Sequence, residues 1–148
     1  MNSKKFDERQ LWIRGRIAFH GLLLALILVL ANGFLQARMI VWASGFDQSL
    51  LIVIATVVAV SIEAMLRGVF FGKLRNRWLV IIIYGVCAIV IIALYGTFFR
   101  QGAAFIEDGG LSIYGANFLT GVMLAIATIV GVGKELSEKT LDKKNDSH

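Results

Sequence analysis

The chain has 148 residues, of which 57% are hydrophobic, against the roughly 45–50% that is usual for soluble proteins. One soluble domain of this length cannot bury so much apolar surface, so the composition excludes an ordinary soluble protein and predicts a membrane protein. The net charge is +5, and the single cysteine, Cys87, excludes an intrachain disulfide and a thiolate metal cluster.

Residues 1–16 are predicted to form a capped amphipathic segment on the cytoplasmic side of the membrane. Asp7 fits a helix N-cap, and Gln10 stands at N3, where it completes a pair similar to a capping box. Trp12 fits the level of the lipid headgroups, where an amphipathic indole prefers to lie. The segment therefore predicts a helix that begins about ten residues before the hydrocarbon.

Four apolar runs follow, and each is long enough to cross a hydrocarbon core of about 30 Å. They cover residues of about 17–35, 49–71, 78–99 and 113–133. Lipid requires that every backbone donor be satisfied inside the segment, and the runs lack the alternation of membrane strands. The prediction is an all-α integral membrane protein, with four transmembrane helices in an antiparallel bundle over residues 17–133 and a charged cytoplasmic tail over residues 134–148.

The distribution of lysine and arginine predicts the orientation. Thirteen of the fifteen basic residues flank the spans on one side: Lys4, Lys5, Arg9, Arg14, Arg16, Arg67, Lys73, Arg75, Arg77, Lys134, Lys139, Lys143 and Lys144. The other two are Arg38 and Arg100. Both termini are therefore expected in the cytoplasm, with the protein in the plasma membrane. On the opposite side, residues 100–112 are expected to form a short flexible turn, because they contain paired glycines.

Small and polar residues recur at helical spacing in each span. In the fourth span the stripe consists of Asn117, Gly121, Leu124, Thr128 and Gly131. Such stripes are typical of faces that pack helix against helix in lipid, and the alternative is that they line a substrate path. Asn32 and Asn117 both fall toward the outer leaflet, so a hydrogen bond between spans one and four is expected.

Glu63 is the candidate site residue, because an ionisable group inside a span costs about 2.5–3.5 kcal/mol on insertion scales. Arg67 follows at i+4, in the orientation that favours an ion pair. His20 lies at a similar depth in the first span, so a cluster of His20, Glu63 and Arg67 is expected. Three roles stay open for it: mutual neutralisation, proton or cation handling, and recognition of a ligand or partner.

Motifs for catalysis are missing from the sequence, which has no Walker or GxGxxG loop, no HExxH pair and no GxSxG elbow. We therefore expect no enzymatic activity, no cofactor, no metal and no nucleic-acid partner. The leading hypothesis is an accessory, regulatory or immunity-type membrane protein. It would contact anionic headgroups at the cytoplasmic face and a membrane partner or further copies of itself. The alternative hypothesis is a small proton- or cation-coupled transporter that uses Glu63.

The Asp7-Glu8-Arg9-Gln10 motif ahead of an arginine-flanked first span resembles small multi-pass membrane proteins of Gram-positive bacteria. That resemblance implies a bacterial membrane protein and carries no activity. Glu63 gives a second resemblance, to the small multidrug-resistance exporters, which also have four spans and one intramembrane glutamate. Their glutamate lies in the first span, whereas Glu63 lies in the second, and this chain is longer and has no proline.

Replacing Asp7 with alanine tests the predicted cap. We expect Asp7→Ala to destabilise the first helical turns by about 1 kcal/mol, because one backbone donor loses its acceptor. Hydrogen exchange of the N-terminal amides should speed up while membrane insertion stays at the wild-type level. Loss of insertion would show that the segment has a different role.

Overall fold

The computed structural model describes residues 8–69 and 77–145. For residue 77 and residues 141–145 it describes the backbone and not the side chains. The described chain forms four helices: α1 (Glu8–Ala37), α2 (Gly45–Leu66), α3 (Arg77–Arg100) and α4 (Ile113–Asn145). All four are long and apolar enough to cross a membrane. The predicted helical class is therefore confirmed, with four helices of the length and apolarity that a membrane span needs.

The predicted limits of the second span need correction. Helix α2 begins at Gly45 and not at Ser49, because the Ser44 hydroxyl caps it by accepting from the Asp47 backbone N–H at 3.2 Å. At the other end, Gly68 has φ +69°, and the Val69 N–H donates to the Ala64 carbonyl. This Schellman-type ending closes the helix at Leu66. Asp7, the predicted N-cap of α1, lies outside the described residues, as do Lys4, Lys5, Lys73, Arg75 and His148.

Helices that are consecutive in the chain run antiparallel, but the central contact of the bundle joins α2 and α4, which run in the same direction. Met65 near the end of α2 packs against Val132 in the later half of α4, while Ala43 just before α2 forms a parallel bridge with Leu111 just before α4. Helix α1 packs on α2, and α3 packs on α4. The cross-section is therefore a flattened bundle in which α2 and α4, which run in the same direction, form the short diagonal.

Small residues bring α3 and α4 together, as the stripe in the fourth span predicted. A Cβ placed on Gly121 would lie 2.9 Å from Ile92 Cγ1, and one on Gly131 would lie 3.1 Å from Ile81 Cγ1. Thr128 fills the space over Gly85. Asn117 departs from the prediction, because its side chain is exposed rather than packed between helices.

The predicted flexible turn after α3 is instead an ordered hairpin, which corrects the sequence-based expectation. Strands β1 (Ile106–Glu107) and β2 (Gly110–Leu111) pair through a two-residue Asp-Gly turn in which both residues have positive φ. That conformation matches the right-handed twist of a hairpin. The Leu111 N–H donates to the Trp42 carbonyl at 2.7 Å, so the two loops at this end are joined. We call this the hairpin end and the opposite end, which carries Arg14, Arg67 and Lys134, the basic end.

Two glycines of α4 provide a matched test of this packing. A Cβ on Gly115 would collide with the Phe105 carbonyl oxygen and lie 2.8 Å from Leu111 Cδ1, whereas one on Gly133 would meet no atom within 4 Å. We expect Gly115→Ala to destabilise the protein by about 1–3 kcal/mol through overpacking. Gly133→Ala should stabilise it by about 0.5–1 kcal/mol through helix propensity. Thermal unfolding midpoints in detergent micelles measure both, and equal shifts would contradict the hairpin position.

Candidate functional site

The structure brings His20, Glu63 and Arg67 together, and we call these three residues the seam cluster. His20 Nδ1 lies 2.9 Å from Glu63 Oε1 and 3.2 Å from Oε2, which joins α1 to α2. Arg67 Nη2 donates to the same Oε1 at 2.7 Å from one helical turn further along α2. The carboxylate is thus shared between an imidazole and a guanidinium.

Local sequence explains why the two helices approach closely at this point. Gly21, which follows His20, has no Cβ, and Val60 of α2 fills the space beside it. Ile17, one turn before Gly21, is buried against Ala64 and Val69. A larger residue at position 21 would push α1 away from α2 and separate His20 from Glu63.

A further contact fixes the amphipathic segment of α1 to the end of α2. Arg14 Nη2 donates to the Val69 backbone carbonyl at 3.1 Å. That carbonyl lies just past the Schellman-type ending of α2, where backbone acceptors lack helical partners. Arg14 therefore has a structural contact as well as its predicted effect on topology, and no local pattern predicts its partner.

The seam cluster is partly open to its surroundings. Glu63 keeps 25% of its side-chain surface accessible, and His20 and Arg67 each keep 39%. Arg67 and His20 both contact the Glu63 carboxylate, so a cation would have to compete with these two side chains for its oxygens. In the described ranges, no three His, Cys, Asp or Glu side chains converge in the manner of a metal site.

A second polar group, which the sequence analysis missed, joins α1 and α2 at the hairpin end. Gln36 Nε2 donates to Gln48 Oε1 at 2.7 Å, and Gln48 Nε2 donates to the Ala43 carbonyl at 2.7 Å. Asn32 Oδ1 accepts from the Trp42 indole at 2.7 Å. We call Asn32, Gln36, Trp42 and Gln48 the loop cluster. Gln36 lies at the end of the first span and Gln48 at the start of the second, so the two side chains are at equal depth. That equal depth was the sequence signal that could have predicted their hydrogen bond.

The loop cluster also overturns one expectation. The hydrogen bond predicted between Asn32 and Asn117 does not form, and the Asn32 oxygen accepts from Trp42 of the intervening loop. Asn117 lies instead beside a groove between α3 and α4.

The region between the two clusters is largely apolar, and the hydroxyls that α2 carries there at Thr56 and Ser61 are bonded to the Ile52 carbonyl and to Tyr84. Glu63 follows Gln48 by fifteen residues, or about 22 Å of helix. A groove of about 270 Å³ between α1, α2 and α4 occupies part of this length, and its walls include Leu28, Ala31, Ile52 and Ala55. The seam cluster and the loop cluster are therefore separate polar sites at opposite ends of the α1–α2 contact.

Comparison with models of protein families, with curated proteins and with solved structures gives no match for this chain. The resemblances carried by residues 7–10 and by Glu63 stay predictions, and the geometry of the site has to support any proposal.

Glu63→Gln tests whether the seam cluster holds α1 against α2. The amide keeps the shape of the side chain but loses the charge that Arg67 and His20 bind, so we expect destabilisation of about 1 kcal/mol. The matched control is Glu107→Gln in the exposed hairpin, for which we expect a change within about 0.5 kcal/mol. Thermal unfolding in detergent micelles measures both variants.

Combining Glu63→Gln with His20→Gln completes a double-mutant cycle. The two changes should be non-additive by at least about 0.5 kcal/mol, since the residues are in contact. Additive effects would mean that the His20–Glu63 contact contributes nothing to stability.

Proposed function

We propose that this protein is a small non-enzymatic integral membrane protein that acts as an accessory or regulatory partner, including the immunity type, of another membrane protein. The observation that carries the proposal is the separation of about 22 Å between the seam cluster and the loop cluster, over which the α1–α2 contact is largely apolar. An ion pathway through the α1–α2 contact would need polar groups or water over that length. In the described part of this contact, the groove walls at mid-depth are aliphatic.

The internal pairing of the polar groups supports the same proposal. The Glu63 carboxylate is bound by Arg67 and His20, and the Gln48 amide is bound by Gln36 and a backbone carbonyl. These contacts fix one arrangement of α1 and α2. A fixed scaffold with a large lipid-facing apolar surface suits a protein that associates with others inside the bilayer.

The proposed location is the plasma membrane, with both termini and the basic end in the cytoplasm. The bias of lysine and arginine toward that end supports the orientation. Trp78 and Lys139 form a cation–π contact there, with 5.0 Å between the ammonium nitrogen and the ring centroid. The same charges suit contact with anionic lipid headgroups or with a partner at the cytoplasmic face.

A small proton- or cation-coupled transporter is the second candidate, and one observation favours it. His20 and Glu63 form a titratable pair that keeps part of its surface accessible at the basic end. A proton could enter the pair from that side. Onward movement toward the hairpin end would require an opening of the apolar stretch or a pathway built by several copies.

Reconstitution into liposomes separates the two candidates. We expect vesicles that contain the protein to show the same proton and monovalent-cation leak as protein-free vesicles, measured with a trapped pH-sensitive dye under an imposed gradient. Flux that depends on the protein and stops in Glu63→Gln would overturn the accessory proposal. Glu107→Gln is the matched control, since it removes a carboxylate from the exposed hairpin.

Association with a membrane partner needs a second measurement. Mild crosslinking in native membranes, followed by purification, should join the protein to one defined membrane protein in constant ratio. Only random crosslinks, at a frequency that follows protein abundance, would contradict the accessory role.

A further inference from the structure

One amide inside the described spans differs from the others. Between residues 17 and 133, the helices carry four amide side chains: Asn32, Gln36, Gln48 and Asn117. The first three are hydrogen-bonded in the loop cluster. Asn117 is exposed, and within the described residues no protein group is hydrogen-bonded to its amide. A bare amide at a lipid-facing position favours a ligand or partner with hydrogen-bonding groups.

Asn117 lies beside a groove of about 310 Å³ between α3 and α4 at the hairpin end. Tyr95 and Tyr114 also line this groove. In contrast to Tyr84, whose hydroxyl is bonded to Ser61, neither of these tyrosine hydroxyls has a protein partner among the described residues. The groove thus offers an amide N–H₂ and two phenol O–H groups as free donors.

Aromatic packing holds the walls of the groove in place. The Phe98 and Tyr114 rings pack with centroids 5.1 Å apart, and Tyr95 packs on Phe118 with centroids 4.6 Å apart. These contacts join α3 to α4 on both sides of the opening. The groove is therefore built by paired rings from two helices.

Polarity changes with depth along the groove. Asn117 lies four residues inside the start of α4 and Tyr95 five residues inside the end of α3, or about 6 and 7.5 Å from those termini. Ile91 lies one turn deeper than Tyr95, and the wall there is aliphatic. The donors therefore stand near the boundary between headgroups and hydrocarbon, with an apolar continuation below them.

We propose that this groove binds an acyl chain that ends in a carbonyl group. The carbonyl oxygen would accept up to two hydrogen bonds, from Asn117 and one of the two tyrosines, and the methylene chain would lie along Ile91 and Leu94. The carbonyl belongs either to the ester of a glycerolipid or to the carboxyl group of a fatty acid. No charged side chain is among the residues that line the groove. The groove would therefore bind the carbonyl and the acyl chain without an ion pair to a headgroup.

Size favours a single chain over a protein helix. The volume of about 310 Å³ equals that of about ten water molecules. A transmembrane helix is about 10–12 Å across with its side chains, so it is too wide to enter such a groove. The site goes beyond the proposed accessory role and does not depend on it.

Photolabelling tests the proposal with the full-length chain in vesicles of phosphatidylethanolamine and phosphatidylglycerol. One set of vesicles contains phosphatidylglycerol with a diazirine in one acyl chain, and a second contains a diazirine-bearing palmitic acid. We expect labelled peptides from residues 91–98 and 113–118 in the wild-type protein. The set that labels more strongly identifies the source of the carbonyl.

Asn117→Leu should lower that labelling about fivefold, the effect of one lost hydrogen bond, and adding Tyr114→Phe should lower it further. Tyr84→Phe, which removes a hydroxyl of α3 outside this groove, is the control and should label like wild type. Equal helical content by circular dichroism verifies folding of each variant. Labelling that is even along α3 or unchanged in Asn117→Leu would overturn the proposal, and so would crosslinks joining residue 117 of two copies.

Discussion

The hydrocarbon core of a bilayer offers no hydrogen-bond partners, so each polar side chain placed in a span must find its partner within the protein or at the membrane surface. This constraint determines where α1 meets α2. The seam cluster fixes the contact at the basic end, and the loop cluster fixes it at the hairpin end. Between them lie aliphatic and small residues whose packing alone would leave the helices free to slide or rotate. Polar pairs at both ends set the register, and close packing at Gly21 sets the distance.

Helix α2 is the element through which the others are connected. It holds α1 through Glu63 and Gln48, and it meets α4 along the short diagonal through Met65. It also reaches α3, since the hydroxyls of Ser61 and Tyr84 lie 3.2 Å apart. The carboxylate that suggests function therefore stands on the helix that also organises the fold. A change at Glu63 will alter stability as well as any activity, so a control carboxylate is required in each assay.

Much of the architecture follows from simple properties of the sequence. Apolar length predicts the four spans, small-residue spacing predicts the α3–α4 contact, and the i+4 spacing with antiparallel neighbours predicts the seam cluster. The features that the sequence did not predict are of two kinds. Some depend on a partner that is distant in sequence, and others depend on a residue whose conformation or burial is set by its surroundings. Gln48 is polar enough to suggest a loop, yet it lies buried in α2 because Gln36 and Ala43 satisfy it. The hairpin depended on Asp108 and Gly109 adopting positive φ together, and the Asp-Gly pair was the available signal for that turn. Spacing along the chain also does not reveal that α2 lies closer to α4 in the bundle than a square arrangement would place it.

The parallel contact between α2 and α4 has a consequence for biogenesis. A ribosome delivers the spans in order, so α1 and α2 can pair as a hairpin while α4 is still being synthesised. Met65 and Ala43 belong to surfaces that α4 and its preceding loop later cover, and those surfaces meet lipid or the insertion machinery until the last span arrives. The final assembly step is thus the docking of the α3–α4 pair onto an existing α1–α2 pair.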